Sequence, residues 1–220
     1  MKNVRLWYKK QDTAKYASHL DLVRCFSRAV RRAGIPIWYT EGFNPKPYMT
    51  FALPLSLGQQ GLREPLDIRI VDEISPDDIA ERLNAALPEG LSIVGAGEPV
   101  MEPKEIAFAL YSVELEFSSE DEAAHFAGEA EKIISGGELN AQKKSKKGIK
   151  TVNLCEMIED FSASHNANTC KISMTVAAGN TLNLNSELLI DTLEAAAGNE
   201  DYVRSIVREK LLTKDMTEFC

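Results

Sequence analysis

Arg24, Arg28, Arg31 and Arg32 fall at helical spacing in a stretch with no acid between Asp21 and Glu41. Guanidinium forks at that density suit phosphate or carboxylate ligands. An ordinary solvated helix face would carry the same residues, and both readings stand on the arginines alone. A few residues on, Glu41-Gly42-Phe43-Asn44-Pro45-Lys46-Pro47 must be a loop. Two prolines one residue apart cannot donate to a ladder, and glycine and asparagine tolerate unusual backbone angles. The loop would present Phe43, Asn44, Lys46 and Tyr48, with Tyr39 just before it, so that aromatics, an amide and a cation together could stack on a base and hydrogen-bond its edge. The same loop could equally be a stiff connection that tucks Phe43 into the core.

A third cationic group is the run Lys143-Lys144-Ser145-Lys146-Lys147-Gly148-Ile149-Lys150. It reads as an exposed hairpin tip, either solvated or serving as a phosphate clamp without base identity. Catalytic residues are harder to find. His19 is the one weak candidate for a general base, and its place on the apolar side of a helix also suits a semi-buried structural histidine. His125 and His165 read as surface residues. No GxGxxG, Walker A, HExxH or GxSxG motif is present, and no nucleophile can be named. Cys25, Cys155, Cys170 and Cys220 lie far apart with no CxxC pair. That spacing speaks against a closed zinc site or an iron–sulfur motif, so no metal or cofactor is expected, and it suits reduced thiols in the cytoplasm.

The elements that must position these groups follow from pattern. Ser18 and Asp21 cap a helix whose apolar face is Leu22, Val23, Phe26, Val30 and Ala33, stopped by Gly34 and Pro36. Val4–Tyr8, Ile35–Thr40, Tyr48–Leu57, Leu66–Val71 and Leu91–Val94 read as strands, and a second helix opens at Ser75-Pro76 and runs to about Leu87. Glu98–Pro103 is rich in proline and reads as a linker. Beyond it come a strand from Phe108 to Phe117, a helix from Ser119 to Ile134, a strand from Glu138 to Lys144 and a short helix from Asn153 to Phe161. A strand from Thr169 to Val176, a helix from Asn185 to Ala197 and a strand from Val203 to Leu212 close the chain. The expected class is α+β, with two tandem ferredoxin-like βαββαβ domains and antiparallel-rich sheets. The first domain, 1–98, would carry an extra strand in its middle hairpin, and the second, 105–220, a helical insertion, with 99–104 between them.

Composition bounds the function. At 220 residues, 44% hydrophobic and 26% charged, the chain has the content of a soluble globular protein. No run approaches the ~20 apolar residues of a membrane span, and MKNVRLWYKKQ lacks the apolar core of a secretory signal. The net charge is −8, yet the first 50 residues hold ten lysines and arginines against three acids, leaving −15 for the rest. Such asymmetry points to a basic face on an acidic body.

The run HLDLVRCFSRAVRRAGIPIWYTEGFNPKPYMTFALPLSLG, followed by LREPLDIRI, resembles a bacterial domain family of unknown function, the radical-SAM-linked or radical-SAM-associated proteins. His19, Asp21, Arg24, Arg28, Gly42, Phe43, Asn44, Pro45, Pro47, Phe51, Pro54, Leu55, Gly58, Glu64 and Asp67 carry the resemblance, and KKSKKGIKTVNLCEMI extends it into the second half. Two departures stand out: Lys46 where the family often has histidine, and Asn153 where an aspartate is expected. The resemblance implies a radical SAM enzyme as partner. The chain has no CxxxCxxC cluster of its own, so it is not that enzyme. The function expected is a cytoplasmic, non-catalytic RNA-binding or adaptor module. The alternatives are a metal-independent ribonuclease with His19 as base, and a scaffold whose arginine helix docks an acidic partner.

Overall fold

Ser18 starts the first helix as its sequence context demands. Its hydroxyl accepts from the Asp21 amide at 3.2 Å, and the Asp21 carboxylate accepts from the Ser18 amide at 3.3 Å, so two amides left unpaired at the helix start are satisfied reciprocally. The computed structural model describes residues 1–145, 148–198 and 202–220, with backbone alone over 143–145 and 148–149. These divide into two units, Met1–Pro103 together with Phe219–Cys220, and Lys104–Glu218. Both are α+β.

The first unit runs β1 (Lys2–Lys10), α1 (His19–Arg32), β2 (Met49–Phe51), β3 (Gln60–Ile70), α2 (Pro76–Ala86) and β4 (Leu91–Gly97). Its sheet order is β4-β1-β3-β2, every pair antiparallel. Leu22, Phe26 and Val30 of α1 and Ile79 and Leu83 of α2 pack on Val4, Leu6, Tyr8, Leu66, Ile68 and Ile70. Each such side chain, fully buried, contributes roughly 1.5–3 kcal/mol. Asn84 of α2 clips the sheet edge, accepting from the Ile93 amide at 2.7 Å and donating to the Ile93 carbonyl at 3.0 Å. A strand edge so occupied offers less to a foreign strand.

Two expectations here are corrected. The strand over Ile35–Thr40 is reduced to the isolated bridges Ile37↔Ile70 and Tyr39↔Pro47, because Pro36 and Pro47 leave gaps in any ladder. The run from Tyr48 to Leu57 contributes only the three residues of β2. By contrast β3 begins at Gln60, ahead of the expected Leu66; Pro65 interrupts the pattern there without ending the strand.

The second unit runs β5 (Ile106–Glu116), α3 (Glu120–Ser135), β6 (Asn140–Ser145), β7 (Gly148–Asn153), β8 (Ile158–Asn166), β9 (Thr169–Ala177), α4 (Ser186–Ala197) and β10 (Val203–Thr213). Four strands lie in the order β10-β5-β9-β8, all antiparallel, while β6 and β7 form a separate hairpin. The helix expected over Asn153–Phe161 is a single 3-10 turn, Leu154–Met157, followed by β8. Asn153 explains the stop. Its Oδ1 accepts from the Leu139 amide at 3.0 Å and the Cys155 amide at 3.2 Å, and its Nδ2 donates to the Gly137 carbonyl at 2.9 Å. All three bonds hold a turn at the foot of the hairpin, and an aspartate there could not make the last of them. The insertion is thus a hairpin and not a helix. Cys170 is buried among the β9 side chains, which pushes its thiol up to about 11.

Candidate functional site

The arginines of α1 divide. Arg24, Arg28 and Arg32 sit one turn apart and line a shallow groove of about 390 Å³ with Asp21, Cys25 and Pro88, while Arg31 is exposed outside it. Successive guanidiniums in that row are raised about 6 Å along the axis by the helical rise. Arg32 Nη2 donates to the Ala86 carbonyl at 2.6 Å, satisfying a group at the end of α2 that has no partner in its own helix. Arg24 lies 3.6 Å from Asp21, both well exposed, an arrangement that contributes little. Hydrogen bonds from the Ser18 hydroxyl and backbone hold the Asp21 carboxyl below its ordinary value, with Arg24 adding slightly. Arg28 makes no hydrogen bond or ion pair among the described residues. The Cys25 thiol is pushed up by burial, against the pull of Arg32 and Arg28, so it enters the groove as a neutral group.

The proline loop is clamped at its base. The Thr40 amide donates to the Lys46 carbonyl at 2.9 Å, the Lys46 amide to Thr40 Oγ1 at 3.1 Å, and the Tyr48 amide to the Trp38 carbonyl at 2.9 Å. Its tip is fully open: Phe43 has 107% relative exposure and follows Gly42 at φ 126°, a backbone angle that favours glycine. Phe43 is therefore not tucked into the core. Tyr39, Asn44 and Lys46 are also exposed, and none of the four lines the arginine groove.

Sequence reasoning missed what stands beneath the loop. The Arg69 guanidinium lies 4.5 Å from the Tyr48 ring centre and 5.2 Å from that of Trp38, and its Nε donates to Asn3 Oδ1 at 3.1 Å. Two residues along the strands, Arg5 Nε and Nη2 grip Asp67 at 2.7 and 2.9 Å, and Nη1 donates to the Cys220 carbonyl at 2.9 Å. Phe219 is buried beside it, 4.5 Å from the Arg5 guanidinium. The pairing of Asp67 with Arg5 was hidden, since cross-strand register is not a local property of the chain.

His19 is exposed rather than semi-buried, and its ring meets Phe51 edge-on at 5.2 Å. His125 and His165 are exposed as expected. Lys146 and Lys147 lie outside the described residues. Lys143 and Lys144 belong to β6, opposite Lys150 and Ile149 of β7. Among the described residues no group of three or more metal-ligating side chains converges, and no helix is long and apolar enough to cross a membrane.

Residues 3–186 match the family model described as "Uncharacterized protein conserved in bacteria (DUF2344)". Among solved structures, a chain of a Cbf5-Nop10-Gar1 complex superposes with a TM-score of 0.52 at 9% identity over 94% of this chain. The match spans 48% of that chain, about half its length, and at such identity it shows likeness of fold alone. An unknown protein from Galdieria sulphuraria gives a TM-score of 0.29 at 10% identity, covering 94% of this chain and 98% of that one, a similarity too low to argue from. Comparison with curated proteins gives no match. With most of its length matched, the chain belongs to the DUF2344 family, the radical-SAM-linked family its sequence resembles.

Proposed function

We propose that this DUF2344 protein is a non-catalytic RNA-binding or adaptor module that works beside a radical SAM enzyme in RNA modification or processing. Each unit is read as a ferredoxin-like βαββαβ variant, the second with an inserted hairpin carrying the lysine run. One observation carries the reading. Arg24, Arg28 and Arg32 line a single groove that contains only one carboxylate, Asp21, in a protein of net charge −8. A local cationic row on an acidic body selects a polyanion by position and repels it elsewhere. In this reading the arginines contact phosphates, while Tyr39, Phe43, Asn44 and Lys46 engage bases beyond the groove. Lys143, Lys144, Lys146 and Lys147 add a second, sequence-independent clamp.

The test is single-stranded RNA binding as a function of salt. If the three groove arginines neutralise three phosphates, they contribute about −2 to the slope of log K against log salt, from roughly −0.7 per phosphate. The triple change Arg24→Ala, Arg28→Ala, Arg32→Ala removes that contribution and weakens binding about tenfold or more at low salt. Binding indifferent to both salt and the triple change overturns the reading. The fully exposed Phe43 favours one second reading, a protein-docking loop, since exposed aromatics are enriched among interface anchors. In that case Phe43→Ala weakens co-purification with the radical SAM enzyme while RNA affinity is unchanged.

A further inference from the structure

The sheet face of the first unit that is turned away from α1 and α2 is built as a polar floor. Strand alternation requires it: Val4 and Leu6 pack toward the helices, so Asn3 and Arg5 point the other way, as do Asp67 and Arg69 between Leu66, Ile68 and Ile70. Register aligns Gly97, Arg5, Asp67 and Thr50 in one row across β4, β1, β3 and β2. A Cβ added at Gly97 would meet nothing within 4 Å, so the row is open above that end. Over this face lies a cleft of about 620 Å³ whose floor includes Asn3, Tyr48, Thr50 and Asp67 and whose far wall is the stretch Glu98–Pro103. That volume suits a ligand of nucleoside size, within the roughly 300–1,000 Å³ typical of small-molecule sites.

The chemistry of the floor narrows the ligand. Arg5 spends its donors on Asp67 and the Cys220 carbonyl, so it holds Asp67 in place instead of offering itself to a phosphate. Asp67 is still 17% exposed at its side chain, and each of its oxygens keeps an acceptor site that Arg5 does not use. Lys2 and Glu98, which also line the cleft, pair with each other at 2.5 Å, as Arg5 pairs with Asp67, so Glu102 on the wall leaves the lining a single negative charge in excess. With that balance, the acceptor sites left on Asp67 favour an N–H donor over an anion. Asn3 Oδ1 accepts from Arg69 Nε, which leaves Asn3 Nδ2 to donate to a ring nitrogen. Tyr48, half-buried against Arg69, supplies a flat stacking surface.

The geometry points to this cleft as a binding site for an amino-bearing heterocycle of the adenine or cytosine type, stacked on Tyr48, its exocyclic amine donating to Asp67. The site is independent of the arginine groove. The heterocycle has two possible sources, a free nucleoside or an unpaired base in RNA, and both present the same ring edge.

Calorimetric titration of the full chain with adenosine, cytidine and uridine tests it, beside the octamers rA8 and rU8. Adenosine and cytidine bind at least about tenfold more tightly than uridine, whose edge offers a carbonyl where theirs offers an amine. Thr50→Trp, at an exposed edge-strand position, fills the cleft and abolishes adenosine binding without lowering the melting midpoint. Tyr48→Ala weakens it. If RNA is the source, rA8 binds more tightly than adenosine and Thr50→Trp reduces that advantage; if the free nucleoside is the source, adenosine binds and rA8 gains nothing. Equal binding of adenosine and uridine, no binding of any nucleoside, or adenosine binding untouched by Thr50→Trp overturns the site. The triple arginine change leaves adenosine binding intact, so loss of octamer binding with nucleoside binding retained in that variant supports both sites, and octamer binding without any nucleoside binding defeats only the cleft.

Discussion

The central strand pairs of the two units, β1 with β3 and β5 with β9, each carry a cross-strand ion pair, and the two pairs live in opposite environments. Arg5 and Asp67 face each other with side chains 2% and 17% exposed, whereas Lys171 and Glu114, 3.2 Å apart, are 56% and 57% exposed. The same topological position thus holds a mostly buried charge pair in one unit and a wet one in the other. The outward helix faces differ in the same way. α1 buries Leu22, Phe26, Ala29 and Val30 and turns arginines outward, while α3 buries Ala123, Phe126, Ala127 and Ala130 and turns out Glu120, Asp121 and Glu122. The stripe that packs the helix is under one set of constraints, and the face that meets solvent is free to be specialised.

Removing one partner from each ion pair should separate the units most sharply. Asp67→Ala leaves a sealed guanidinium without its carboxylate and costs about 3–5 kcal/mol in urea denaturation. Glu114→Ala costs at most about 1 kcal/mol. Equal costs would erase the distinction between the two sites. A smaller contrast concerns two asparagines that hold turns and edges. Asn153→Asp loses the donor to Gly137 and should cost roughly 1–3 kcal/mol, seen also as faster amide exchange at Leu139 and Cys155; Asn84→Asp, which loses the donor to Ile93, should fall in the same range. The smallest effect is on acid sensitivity. The Asp21 carboxyl lies below its usual 3.8 in the folded chain, so its contribution is present above the unfolded value and fades as pH falls through the folded one. Exchange protection in the first turn of α1 should weaken below about pH 4, and Asp21→Asn should remove that dependence. α4, capped by the neutral Asn185 side chain, should show none from its cap.

Helix ends were the most legible part of the sequence because their signals are local. Ser18 with Gly34, Ser75 with Pro76, and Asn185 with Gly198 mark their helices within a few residues. Strands were read less well. β8 has polar residues on both faces and only β9 beside it in the second unit's order, so its sequence lacks the alternation that betrays a half-buried strand. Its outward side is partly met by Glu131, whose carboxylate accepts from the Ala163 amide, a contact across 32 residues that no window of sequence contains. The arginine groove was legible because a single helix presents it. The cleft over Asp67 was not, since its floor draws on three strands, and Arg5, read as part of a basic surplus, is spent on an internal partner.

Phe219 and Cys220 belong to the first unit, which gives that unit an unusual relation to the ribosome. Chain emerges from the N-terminal end at roughly 5–20 residues per second, so β1 and β3 can pair long before Phe219 exists. The guanidinium of Arg5 must wait for its carbonyl partner until everything from Lys104 to Glu218 has been translated. The earlier-made half of the protein is therefore the later to finish, and until then the strand face beside Arg5 lacks the ring of Phe219.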